Sequence, residues 1–146
     1  MTVPVAALLA FSVWTLRLLC ATVGVYRWSR VFAGQATVRE WRGDRPQGAD
    51  WYLRALRAHA NCIENLPVFA AIVVAAHLTG VSNATMNGLA VVIVLARVAQ
   101  SITHVAFRQT EAVAITRFSL FFIQVLSMLA MAGLVAVQAT ATLHPI

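Results

Sequence analysis

The stretch that decides the fold is Arg57-Ala58-His59-Ala60-Asn61-Cys62-Ile63-Glu64-Asn65-Leu66-Pro67. It is a polar, charged run that leads directly into an apolar segment. A charged group at membrane depth costs roughly 2.5–3.5 kcal/mol on insertion scales, so such groups usually face the interior of a helix bundle and bind something. We therefore expect the functional site to lie at this stretch.

The composition around that stretch is typical of a membrane protein. Of 146 residues, 60% are hydrophobic and 11% are charged, whereas a soluble domain carries about 25% charged residues. Four apolar segments are long enough to cross a bilayer, at about 4–26, 51–79, 84–107 and 112–140. The sequence predicts an all-α integral membrane protein, with one domain over residues 1–146 that forms a bundle of four transmembrane helices.

The basic residues are unevenly distributed between the connecting segments. All 11 are Arg, and the net charge is +6. They are concentrated in the first loop, residues 27–50, and around the third, 108–111, whereas 79–83 carries no charge. The positive-inside rule places the first and third loops in the cytoplasm and both termini on the other side. No basic patch interleaved with aromatics indicates nucleic-acid binding, and two cysteines predict neither a disulfide framework nor a metal site.

Three charges on three different segments fall at one depth. From the rise per residue, Arg17, Glu64 and Arg97 each lie about 20 Å from the non-cytoplasmic face. Glu64 is the acidic member of this layer. Because a lone charge in lipid neutralises or reaches toward water, we expect Glu64 to pair with Arg97 or Arg17, within or between subunits.

The second and third segments each carry a polar stripe at helical spacing. The members are Arg57, Asn61 and Glu64 on the second, and Arg97, Gln100, Ser101 and His104 on the third. If the two helices are antiparallel neighbours, Asn61 comes level with Gln100 and Ser101, and Arg57 with His104. The stripes then form a cleft open to the cytoplasmic leaflet. The alternative is that these groups only hold helices together.

At these residues the sequence resembles a known family, the membrane-associated proteins in eicosanoid and glutathione metabolism, in a bacterial-type form. The family pattern Arg-Ala-His/Gln-x-Asn-x-x-Glu-x-x-Pro is satisfied by residues 57–67, and residues 97–100 resemble its Arg-x-x-His/Tyr stretch. The resemblance covers nearly the whole chain. It implies a homotrimer in the bacterial inner membrane, with glutathione bound at subunit interfaces near the cytoplasmic side.

The resemblance also implies roles for particular residues. It assigns glutathione binding to Arg30 (or else Arg27), Arg57, Asn61, Glu64, Arg97, Gln100 and His104. Arg117, near the start of the fourth helix, is the one match to the residue that activates the thiol. Catalytic members usually carry Tyr at the position of His104, and His or Tyr at that of Gln100.

The function expected from this resemblance is a glutathione-dependent transferase or peroxidase that acts on lipophilic electrophiles arriving from the membrane. One alternative is a non-catalytic lipid-binding scaffold of the same family, which the absent Tyr residues favour. Another is a small transporter that uses Glu64 as a proton or cation carrier, although neighbouring Arg residues would keep that carboxylate ionised and neutralised. The identity of the electrophile does not follow from the sequence.

Overall fold

The computed structural model describes residues 1–143, with side chains through 141, and over that range it contains helices and turns but no strand. In chain order the elements are α1 (Val3–Leu18), a π-helical segment (Leu19–Gly24), α2 (Val25–Phe32), a 3₁₀ turn (Val38–Glu40), α3 (Asp50–Leu78), α4 (Ala84–Ala106) and α5 (Glu111–Leu143). Four helices are long and apolar enough to cross a membrane, which confirms the predicted all-α membrane fold. The end of the predicted domain, residues 144–146, lies outside the described residues.

The first spanning helix extends beyond its predicted end. It was expected over 4–26, but α1, the π-helical segment and α2 together run without a break to Phe32. Contacts with α3 keep the extra turns helical, because the Tyr26 ring stacks on Tyr52 at 4.2 Å and Arg27 Nε donates a hydrogen bond to Tyr52 Oη at 2.8 Å. Gly34, with φ of 67°, then provides the left-handed residue that ends the helix.

Short-range signals in the sequence set the other helix boundaries. Gly80 ends α3 with φ of 69°, and the amide of Val81 reaches back to the carbonyl of Ala76 at 3.0 Å. Asn83 caps α4, since its Oδ1 accepts a hydrogen bond from the Met86 amide at 2.8 Å. The tight turn between these helices makes them antiparallel neighbours, as the two polar stripes require.

The central helix is α4, which packs against α1, α3 and α5. Its buried apolar residues include Ala90 and Ile93. They belong to a core in which Phe11 of α1 also meets Phe69 of α3, with ring centroids 5.9 Å apart. A polar residue on the inner face of α4 is therefore surrounded by protein on several sides.

The long first loop is fastened to the ends of α2 and α3 by an aromatic cluster. Trp41 packs edge-on against Tyr26 and Tyr52, at 5.8 and 5.9 Å, and the Ala49 amide donates to Tyr26 Oη at 3.0 Å. Gly48 has φ of 151°, and a Cβ there would lie 2.8 Å from Tyr52 Cδ1. This close approach holds the loop against the bundle.

Candidate functional site

The polar stripe of α4 faces the interior of the bundle. Arg97, Gln100, Ser101 and His104 are all buried, and Arg97 is 1% exposed. The Arg97 guanidinium donates from Nη1 to Gln100 Oε1 at 2.8 Å and lies over the Phe11 ring at 5.5 Å. The i, i+3, i+4, i+7 spacing thus places four polar groups on one buried face.

The stripe of α3 lies at the edge of that interior. Asn61 is half-buried, whereas Arg57 and Glu64 are exposed on the single chain. The two stripes meet where Asn61 Nδ2 is 3.2 Å from His104 Nε2. Asn61 was predicted level with Gln100 and Ser101, and the neighbouring Cys62 Sγ lies 3.6 Å from Ser101 Oγ, so the register is close to the predicted one. His104, which was predicted level with Arg57, instead contacts Asn61.

Glu64 does not pair with an Arg of its own chain. The ion pairs within residues 1–141 join Arg42 to Asp44 and Arg54 to Asp50. The predicted pairing of Glu64 with Arg97 or Arg17 inside one subunit is therefore wrong. The reason is direction: Glu64 points outward from α3, whereas Arg97 points inward to Gln100 and Phe11. Pairing between subunits stays a prediction.

A buried network extends from α4 to α5. Gln124 Nε2 donates to Gln100 Oε1 at 3.2 Å, and Gln100 Nε2 donates to the Arg117 carbonyl at 3.0 Å. Gln124 is fully buried, and the sequence reasoning did not single it out. The one signal for it was a polar residue within a strongly apolar helix. The Arg117 side chain is itself oriented by Gln109, whose Oε1 accepts from Nη1 at 2.6 Å.

Several polar atoms around this network are buried without a hydrogen-bond partner among the described residues. They are Arg97 Nε and Nη2, His104 Nδ1, Arg117 Nε and Gln124 Oε1. Leaving such a group unpaired costs about 1–3 kcal/mol, and more when it is charged. Elsewhere comparable atoms occur singly, on Trp14, Trp41 and Asn87. The three unpaired guanidinium nitrogens, on Arg97 and Arg117, are all donors, and they make this cluster the candidate site.

The two candidates at the end of the first helix line different cavities. Arg27 and Arg57 line the same cavity of about 410 Å³. Arg30 lies over the Tyr26 ring at 5.7 Å and lines a separate cavity of about 480 Å³. Within one chain, the shared cavity associates Arg27 rather than Arg30 with the residue 57–67 motif.

Fold and site together define an integral membrane protein of four spanning helices, with a polar site built where the second, third and fourth helices meet. The model of the MAPEG family matches residues 4–137, and the chain belongs to this family. The family includes glutathione transferases and related membrane proteins. Comparison with curated proteins and with solved structures gives no significant match.

Proposed function

We propose that this protein is a glutathione-dependent membrane transferase or peroxidase that acts on lipophilic electrophiles. It works as a homotrimer in the bacterial inner membrane, with glutathione bound at subunit interfaces on the cytoplasmic side, where the positive-inside rule puts the Arg-rich loops. The observation that carries the proposal is the group of buried donors without acceptors around Arg97 and His104, beside the exposed Arg57 and Glu64.

The chemistry of these residues suits glutathione, which has two carboxylates, one ammonium and one thiol. Guanidinium groups bind carboxylates through paired, charge-assisted hydrogen bonds, and Arg27 and Arg57 share one cavity. Glu64 has no ion-pair partner within residues 1–141 and suits the ammonium. Asn61, held by His104, is placed to bind the peptide backbone.

The exposure of Arg57 and Glu64 supports a site completed by a second copy of the chain. Both lie on a helix that crosses the membrane, where charged groups are costly to leave in contact with lipid. Closed rings of identical subunits cover such surfaces without leaving an open end. A trimer would cover the charges of each chain with the next.

Arg117 is the residue proposed to favour the reactive form of the thiol. Gln109 orients its guanidinium through Nη1, and its Nε has no partner. A nearby guanidinium stabilises a thiolate over a thiol, and the thiolate is the nucleophile. When bound, glutathione supplies that sulfur for attack on the electrophile. The apolar outer surface of the bundle lets the electrophile approach from the lipid.

Measuring glutathione binding to the detergent-solubilised protein tests this proposal. Arg57→Ala and Glu64→Gln should each weaken binding about tenfold or more, because each removes a charge-assisted contact worth roughly 1.5–3 kcal/mol. Arg39→Ala and Glu111→Gln remove the same charges at exposed positions outside the site and should change little. Failure of the unaltered protein to bind glutathione would sink the proposal.

One observation favours a non-catalytic, lipid-binding scaffold as a second candidate function. The Gln100 amide is already engaged by Arg97, Gln124 and the Arg117 carbonyl, so it offers little to a ligand, and no hydroxyl stands at this position or at His104. Ultraviolet absorbance of a thiolate, measured after glutathione is added, distinguishes the transferase or peroxidase from the scaffold. Lipid that co-purifies, together with no thiolate signal, would assign the scaffold role.

A further inference from the structure

The first loop lines a basic cavity that has three Arg side chains against one carboxylate, that of Glu40, and none of residues 57–67. Its volume is about 480 Å³, and its lining includes Tyr26, Arg30, Trp41, Arg42, Arg45 and Gly48. The Trp41 indole N–H is buried without a hydrogen-bond acceptor among the described residues. An aromatic donor and several guanidinium groups thus meet around one space.

One carboxylate, that of Glu40, lines the cavity, and a second, that of Asp44, binds one of the lining Arg residues. Glu40 accepts hydrogen bonds from the amide and hydroxyl of Thr37, at 2.9 and 3.1 Å. Asp44 is bound by Arg42 at 2.8 Å, and this contact holds the pKa of that carboxyl below its usual range. Arg30 and Arg45 have no carboxylate partner within residues 1–141. With Arg42 paired, Arg30 and Arg45 outweigh the one lining carboxylate, Glu40, so the cavity keeps a net positive charge.

The surroundings of the cavity place it at the level of lipid headgroups. On α2, Trp28 and Phe32 are 55% and 81% exposed and stack at 5.5 Å, and exposed aromatic residues at the ends of spanning helices mark the membrane interface. Trp41 also lines a neighbouring hollow that contains Trp28 and Val31. That hollow shares Trp28 with an apolar groove beside Val25 and Phe32. Apolar surface therefore adjoins the basic cavity.

We propose that this cavity binds the phosphate group of an anionic phospholipid. Arg30 and Arg45 bind the phosphate oxygens, since guanidinium matches phosphate geometry. The Trp41 indole N–H donates a further hydrogen bond, and the acyl chains lie against Trp28 and Phe32. Basic pockets beside transmembrane helices bind such headgroups, and the aromatic contacts that fix the loop preorganise this one. The inference goes beyond the proposed function and does not depend on it.

The test uses full-length protein in detergent, titrated with phosphatidylglycerol and followed by native mass spectrometry. Arg45→Gln should weaken binding about fivefold, the usual effect of one Arg near an anionic lipid. Arg39→Gln removes the same charge from the same loop but lies outside the cavity lining, and should stay within about twofold of the unaltered protein. Phosphatidylcholine with the same acyl chains should bind more weakly, because its headgroup has no net charge.

Three results would overturn the proposal. Equal losses from Arg45→Gln and Arg39→Gln would mean diffuse attraction to charge. Displacement of the lipid by millimolar inorganic phosphate would assign the cavity to a free anion. Displacement of the lipid by glutathione would assign the cavity to glutathione binding. The Arg45→Gln variant should still bind glutathione as the unaltered protein does, so the result of this test is independent of the proposed function. Its melting temperature without lipid should also be unchanged, which shows that the variant folds.

Discussion

At the scale of single residues, Arg97 is the most informative position. It is the largest of the side chains that are almost completely buried, yet two of its three guanidinium nitrogens have no hydrogen-bond partner. A charge in this state contributes little to stability, because no ion pair within residues 1–141 offsets its loss of hydration. We infer that Arg97 serves ligand binding rather than folding.

This inference predicts that the Arg97→Met variant keeps its stability but binds glutathione more weakly. Met has similar length and fills the same volume, so we expect stability within about 1.5 kcal/mol of the unaltered protein, with glutathione binding weakened at least tenfold. Thermal unfolding in detergent and a binding titration measure the two effects. As a control, Ile93→Ala truncates a fully buried core residue and should cost about 2–5 kcal/mol. A comparable loss of stability in Arg97→Met would assign Arg97 a structural role.

At the scale of elements, the loop depends on one glycine. A Cβ at Gly48 would lie 2.8 Å from Tyr52 Cδ1 and 2.9 Å from Tyr26 Oη, and φ of 151° is itself unfavourable for other residues. Gly48→Ala should therefore destabilise the loop by roughly 1–3 kcal/mol and expose it to proteolysis. Gly43→Ala is the matched control, since nothing lies within 4 Å of its Cβ position. Equal cleavage of both variants would mean that the loop is not held by this contact.

The start of α4 depends on one cap. Asn83 accepts a hydrogen bond from the Met86 amide, so Asn83→Ala should cost about 1 kcal/mol. Ser82→Ala changes the preceding exposed residue, which makes no such bond, and should be nearly neutral. Chemical denaturation in mild detergent compares the two, and equal midpoints would show that the cap is not needed.

Hydropathy predicts the four spanning helices because lipid imposes length and apolarity on each of them. It does not predict that α2 continues to Phe32, since the charged and aromatic residues there resemble a loop, and packing of Tyr26 on Tyr52 decides the outcome. The buried stripe of α4 was predictable from helical spacing. Gln124 was not, because one polar residue in an apolar helix carries no periodic pattern. Helical spacing predicted the register of Asn61 against Ser101 to within about one residue. It did not predict the contact of Asn61 with His104, because rise per residue says nothing of helix tilt or side-chain reach.

At the scale of the whole molecule, a single chain leaves charged groups exposed on its spanning helices. Arg17 and Glu64 are both exposed on spanning helices and have no ion-pair partner within residues 1–141. Opposite charges at similar depth on different surfaces are complementary, and we propose that a neighbouring copy of the chain neutralises both.

We therefore expect three copies of the chain in detergent solution, which native mass spectrometry counts directly. Arg17→Gln should lower the temperature at which the assembly dissociates, because it removes the proposed partner of Glu64. Arg108→Gln changes an exposed Arg outside the spanning helices and should leave that temperature unchanged. A stable single chain at micromolar concentration would contradict the expectation.

The π-helical segment Leu19–Gly24 sets the direction around the helix axis in which the later residues of the first spanning helix point. A π turn accommodates a residue more than an α turn does. With the same number of residues, uniform α geometry over this segment would swing Arg27 and Arg30 about 100° around the axis, away from Tyr52 and Tyr26. The extra residue that the π turn holds therefore keeps Arg27 directed at Tyr52 of α3.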